Sequence, residues 1–162
     1  MSELRERLNS LEYSGEPSVH ALIEKPSVGM HALAERVLVV KGLGFSGDHA
    51  QKDWWNGKRI AEREVTAVAW EVIQALEGQP EITGDNLVSQ GLDLSKLLPG
   101  DRIQLGDVVL RRAAKNHRPC KTFAARLSDE ARLAVSDLNL RGALFSVETG
   151  GSIAKGDPIT LL

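Results

Sequence analysis

Gly-Asp pairs punctuate this chain at Gly47-Asp48, Gly84-Asp85, Gly100-Asp101, Gly106-Asp107 and Gly156-Asp157, and they limit how far any one element can run. Glycine supplies φ > 0 without steric cost, and aspartate hydrogen-bonds nearby backbone N–H groups, so each pair favours a tight turn. Around them lie short β-branched and aliphatic runs that read as strands: Val19–Ile23, Glu35–Val40 and Ile60–Val68 upstream, Ala143–Glu148 and Pro158–Leu162 downstream. Arg102–Leu105 and Val108–Ala113 flank Gly106-Asp107 as the two arms of a hairpin. Helical spacing is confined to three places. Leu4, Leu8 and Leu11 share one stripe in Ser2–Tyr13, which stops near Gly15; Val68, Val72, Ala75 and Leu76 share one in Ala69–Glu77, which stops at Gly78. Ser128 caps a third helix running to about Leu138, with Leu127, Ala131, Val135 and Leu138 on one side. The expected class is mainly β with a few short helices, a β-barrel or tightly bent sheet rather than a βαβ fold. Residues 1–15 read as an N-terminal helical arm and residues 16–162 as a single domain, with no linker and no internal repeat.

Composition narrows the functional classes. A net charge of -2 argues against a general nucleic-acid binder, so any basic stretch is a local feature. Glu3, Arg5, Glu6 and Arg7 deny the N-terminus an apolar signal core, and Val37–Val40 is far too short to span a bilayer. One cysteine excludes an internal disulfide framework and suits a reducing compartment. A cytoplasmic protein with no membrane or nucleic-acid partner is expected.

That cysteine sits in Asn116-His117-Arg118-Pro119-Cys120-Lys121. From Arg111 to Arg126 there are six Lys or Arg residues and no Asp or Glu. Cations stabilise the thiolate, the form that attacks electrophiles or binds a soft metal, and Pro119 fixes the path of the chain into Cys120. The alternative is that Cys120 is a small buried hydrophobe. Other signals are weaker. The loop from Gly42 to Asp48 lacks the spacing of a phosphate loop and reads as a turn between strands. His20, His31, His49 and His117 are scattered, with no zinc-ligand spacing, and no Gly-x-Ser-x-Gly elbow is present. Trp54-Trp55, set among Lys52, Asp53, Asn56, Gly57 and Lys58, forms either a rim near the site or an outside cap on the core.

Taken in order, these pieces resemble the MOSC family, named for the C-terminal domain of molybdenum cofactor sulfurases. Gly42-Leu43-Gly44-Phe45-Ser46-Gly47-Asp48-His49 is similar to its Gly-Leu…Gly-Asp-x-His segment, Arg63-Glu64-Val65-Thr66 to its Arg-x-Val-Thr strand, and Gly84-Asp85-Asn86-Leu87 with Gly91–Leu94 to its Asn-containing turn. Gly100–Leu110 resembles its hairpin, Arg118-Pro119-Cys120 its cysteine segment, and Gly142–Phe145 with Lys155-Gly156-Asp157 its closing strands.

The resemblance implies a MOSC-type β-barrel, molybdenum cofactor (molybdopterin) as ligand, and reduction of N-hydroxylated compounds, with Cys120 as both catalytic residue and metal ligand. By position Arg118, His117 and Lys121 flank it, and Arg63, Asn86 and Asp48 shape the pocket. Two alternatives stand beside this: a sulfur carrier in which Cys120 forms a persulfide for metal–sulfur cofactor assembly, and a non-catalytic cofactor-binding protein. Phe123 replaces a second cysteine found in some members, and Asp85 stands where stand-alone members commonly have Glu. Pyridoxal phosphate belongs to a sulfurase domain that this sequence lacks. A small-molecule substrate and a separate electron-donor or sulfur-donor protein are therefore the expected partners.

Overall fold

The computed structural model describes residues 2–162, so Met1, the first residue of the expected arm, lies outside the described residues. Strands dominate. The elements run α1 (Glu3–Asn9), β1 (Ser18–Glu24), β2 (Ala32–Ala34), β3 (Arg36–Val40), β4 (Gly44–Phe45), β5 (Trp54–Trp55), β6 (Lys58–Arg59), β7 (Val65–Ala69), α2 (Trp70–Ala75) and β8 (Leu87–Gln90). After a 3-10 turn at Leu94–Lys96 come β9 (Arg102–Leu105), β10 (Val108–Arg112), α3 (Lys121–Arg126), α4 (Asp129–Asp137), β11 (Ala143–Thr149), β12 (Gly151–Ala154) and β13 (Ile159–Leu161).

Eight strands form one curled sheet in the order β13-β9-β10-β11-β7-β8-β1-β2, antiparallel throughout except for the β7–β8 pair. Val19 N–H donates to Asp157 C=O and Ile159 N–H to Pro17 C=O, drawing the start of β1 against the approach to β13 and curling the sheet into a half-barrel. A smaller sheet, β12-β3-β4, covers the inside, and its β3 alternates strictly, with Val37 and Val39 inward and Arg36, Leu38 and Val40 exposed. The barrel core therefore collects Val19, Leu22, Phe45, Val65, Leu87, Ile103, Leu105, Leu110, Phe145 and Ile153. A second core lies between the outer face and the helices, where Leu8, Ile23, Val68, Ile73, Val88, Phe123 and Val135 meet. A register shift between Val19 and Ala21 lets β1 supply both: Val19 and Leu22 go to the barrel, Ala21 and Ile23 to the helical side.

Differences from the sequence reading have local causes. Residues 60–64 are not strand; the run begins at Val65, because Glu62 takes φ 60 and turns the chain. Helix α2 ends at Ala75, with Glu77 at φ 58 making the reversal expected of Gly78. Strand β12 (Gly151–Ala154), which the sequence reading did not include, pairs with β3. Trp54-Trp55 is not a cap on the core. The pair forms one arm of a hairpin with Lys58-Arg59, closed by Asn56 (φ 50) and Gly57 (φ 74), the left-handed pair a tight two-residue turn requires.

Candidate functional site

Cys120 is the residue immediately before α3, in extended conformation at φ -115 and ψ -175, and it is exposed. Burial raises its thiol pKa, but the backbone N–H groups of Phe123 and Thr122, the Thr122 hydroxyl and the charge of Arg141 outweigh this and hold it below the ordinary thiol value. These are electrostatic contacts: the side chain makes no cap hydrogen bond of ordinary geometry.

Beside it opens a cleft of about 100 Å³ that brings together residues remote in sequence. Lys25 follows β1, Arg63 precedes β7, Gly84 and Asp85 precede β8, Thr122 and Arg126 lie on α3, and Arg141 precedes β11. Four of the lining residues are Lys or Arg and one is acidic, and that acid is already engaged. Asp85 Oδ2 accepts from Arg141 Nη1 and, at 2.8 Å, from Thr83 Oγ1, while its Oδ1 accepts from His117 Nε2 at 2.7 Å. Burial works against ionisation of Asp85, yet Arg141 and the His117 contact hold its carboxyl well below the usual range. His117 is pushed down to about 4, first by burial and then by Arg141, so the ring is neutral at pH 7. The ion pair in this cluster is therefore Asp85–Arg141, and His117 is a neutral donor to the carboxylate.

Burial also brings Lys25 down to about 8 and lowers Arg63. Lys25 Nζ donates to Thr66 Oγ1 at 3.3 Å. Gly84 (φ 75) faces the same space, where a Cβ would stand 2.7 Å from Arg126 Nη1 and 3.0 Å from the His31 ring. The positive φ favours glycine here, and a side chain would also make Arg126 and His31 shift within the cleft.

The site residues expected from sequence separate into groups. Cys120 and Arg63 share the cleft. Asp48 and Asn86 stand behind it in a buried network: Asn86 Nδ2 donates to Asp48 Oδ2 at 2.9 Å, Thr66 N–H donates to Asn86 Oδ1 at 3.2 Å, and Lys52 Nζ pairs with Asp48 Oδ2 at 3.1 Å. Asp48 Oδ1 also accepts from Lys25 N–H at 2.7 Å, which fixes the backbone carrying that lysine. His117 and Arg118 line a different cavity together with α4. Lys121 lines a wider groove of about 1120 Å³ that runs past Cys120 to Trp55, whose indole is 71% exposed. Sequence reasoning counted Arg126 in the basic run around Cys120 but passed over Lys25, Arg141 and the anchoring role of Asp85. The available signal for Arg141 was a lone cation before Gly142 at the head of a buried apolar run, Ala143–Phe145.

Among the described residues, no cluster of three or more His, Cys, Asp or Glu could hold a metal ion, and no helix is long and apolar enough to cross a membrane. A bare metal therefore has no protein cage here. A metal carried on its own organic, phosphate-bearing ligand fits better, since such a group needs one soft thiolate and a cationic wall, both of which are present. The cleft alone falls short of the roughly 300–1,000 Å³ usual for ligand sites, but cleft and groove together exceed it.

The fold has solved counterparts. The YUAD protein from Bacillus subtilis superposes with a TM-score of 0.73 at 18% identity, over 91% of this chain and 97% of that one. YiiM from Escherichia coli gives 0.62 at 21% identity, over 91% of this chain and 68% of that one. YiiM from Geobacillus stearothermophilus gives 0.67 at 18%, over 90% and 75%. No curated protein sequence matches. The model of the MOSC domain matches residues 50–160, which leaves the Gly42–His49 segment outside the match and takes in Arg63, Asp85, Asn86, Cys120 and Arg141. With well over half its length matched, this chain belongs to the MOSC domain family.

Proposed function

We propose that this protein binds molybdenum cofactor against Cys120 and reduces N-hydroxylated compounds, with the Cys120 thiolate as the metal's protein ligand. MOSC domains are associated with molybdenum-cofactor binding in general, and the observation that carries the reading to this chain is an exposed thiol with a lowered pKa at the edge of a cationic cleft. When bound, the cofactor supplies the two-electron redox centre.

The chain's residues supply the setting. Arg63, Lys25 and Arg126, all partly buried, line the cleft and would attract an anionic group there. Arg141, anchored on Asp85, keeps positive potential at Cys120. Lys25, near neutral pKa, holds an exchangeable proton at Nζ on the cleft wall. Cleaving one N–O bond takes two electrons and two protons and releases water; the electrons come from a separate donor protein.

Molybdenum content after expression in a cofactor-competent host tests the reading. The expected result is near one metal per chain, lost in Cys120→Ala, with reductase activity lost in parallel. Metal well below one per chain and unaltered by that substitution sinks it. The exposure of the thiol favours one second reading, acceptance of a persulfide from a partner protein. That reading predicts a sulfur-donor-dependent mass gain at Cys120 without bound metal.

A further inference from the structure

The groove that passes Cys120 has two walls of different origin. One is the β5–β6 hairpin, where Trp55 lines the groove and Lys58 stands directly across the ribbon from it, on the same face. The other runs from Pro119 through α3 to the start of α4 and carries Lys121, Ala124, Ala125 and Arg132. Cys120 lines the same groove and is exposed.

Charge is unevenly spread over the chain. Residues 111–126 hold six of its 20 Lys and Arg and no acid, which leaves 14 against all 22 Asp and Glu elsewhere. Lys58, Lys115, Arg118 and Lys121 are exposed and form no ion pair among the described residues. The single acid lining the groove, Asp129, is held against Arg132 at 4.0 Å. Unpaired cations beside Cys120, on a chain whose remainder is acidic, draw an anionic surface to this side and repel it from the others. Trp55 completes the pattern. Its own fold leaves the indole 71% exposed, and a Trp flanked by basic residues is the composition that anchors protein interfaces.

We infer that the rim of this groove docks an acidic partner protein, with its carboxylates against Lys58 and Lys121 on the two walls and an apolar contact on Trp55. The inference rests on the proposed function in one respect: a protein has to reach Cys120, whether it brings electrons or a persulfide. The floor of the groove is left to whatever Cys120 holds. A contact of this kind is small and transient, as encounters between redox proteins are.

The test uses the full chain as purified and two probe proteins of opposite charge, an acidic flavodoxin and a basic cytochrome c, with binding read by calorimetry. Flavodoxin is expected to bind, and to lose about tenfold in affinity between about 50 and 200 mM NaCl as the exposed charges are screened; cytochrome c is not. Lys58→Glu and Lys121→Glu, one on each wall, should each weaken flavodoxin about tenfold, and Trp55→Ser by a similar factor. All three positions are exposed, so the fold does not depend on them. Lys96→Glu makes the same change of charge at an exposed position that lines a different pocket, and should leave the affinity within about twofold. Equal losses from Lys96→Glu and Lys121→Glu would reduce the effect to net charge and overturn the inference. Absence of flavodoxin binding, or a preference for cytochrome c, would overturn it as well. Trp55-dependent binding to vesicles of anionic phospholipid, with no binding of flavodoxin, would give this face to a membrane surface instead. Binding is read without turnover or metal, so a failure here leaves the molybdenum test of the proposed function untouched, and a failure there leaves this one standing.

Discussion

Arg141 and Asp85, 56 positions apart in the chain, form a buried ion pair that ties the entry to β11 to the entry to β8, directly beneath the Cys120 cleft. His117 holds the other carboxylate oxygen from the segment that leads to Cys120. The cluster is thus a joint between three chain segments, and its Arg141 adds to the groups that favour the Cys120 thiolate. Replacing Asp85 with Asn keeps the shape and removes the charge. The cost is expected to be about 3 kcal/mol, because Arg141 is left as an uncompensated buried cation. Urea unfolding measures it; a loss below about 1 kcal/mol would show that solvent already screens the pair.

Acid should weaken the fold through the same cluster. His117 titrates near 4 when folded and at its ordinary 6.5 when unfolded, so between those values the unfolded chain binds the extra proton. Stability therefore falls on acidification through that window, by up to about 1.4 kcal/mol per pH unit. Asp85, whose folded pKa is depressed, contributes in the same direction below the unfolded carboxylate value. His117→Gln should flatten the slope between pH 6.5 and 4 while leaving the steeper acid loss in place. An unchanged slope in that variant would assign the effect to other groups.

Alkylation of Cys120 by iodoacetamide should show a midpoint below that of a free thiol, since backbone N–H groups, the Thr122 hydroxyl and Arg141 all favour the thiolate. Thr122→Val removes the hydroxyl and should move the midpoint upward with little effect on stability, the position being exposed. A wild-type midpoint at or above that of free cysteine refutes the electrostatic account.

How far the sequence disclosed this site depended on whether the signal was contiguous. Cys120 stood out because its cations are neighbours in sequence, and the Gly106-Asp107 hairpin because both arms are local. Lys25 and Arg141 reach the cleft from two separate parts of the sheet, and no spacing along the chain encodes a juxtaposition made by sheet topology. The sequence placed His117 beside Cys120. Its ring instead turns away to Asp85, because a buried imidazole needs a hydrogen-bond partner and the carboxylate supplies one. Strand β8 was missed for a related reason: it lies between β7, paired in parallel, and β1, paired antiparallel, and the burial of Leu87, Val88 and Ser89 in succession erases the alternation that marks a strand. The N-terminal stripe of Leu4, Leu8 and Leu11 was legible, and Leu8 lies in the core shared with α2 and α4.

Trp55 offers the sharpest separation of packing from function. Its indole is 71% exposed on a hairpin whose backbone is fixed by the Asn56-Gly57 turn and by the Asp53–Arg59 ion pair at 2.8 Å, so little of the fold rests on it. It nevertheless lines the groove that passes Cys120. Trp55→Ala should change thermal stability by no more than about 0.5 kcal/mol, the range for exposed positions without special contacts. If the groove admits substrate, the same variant should raise KM for an N-hydroxylated aromatic compound about tenfold, the worth of one lost ring-stacking contact, with kcat nearly unchanged. Trp55→Phe, which retains a flat apolar face, should recover most of the affinity. A large loss of stability with normal turnover in the remaining folded protein would instead make Trp55 a packing residue and remove it from the substrate path.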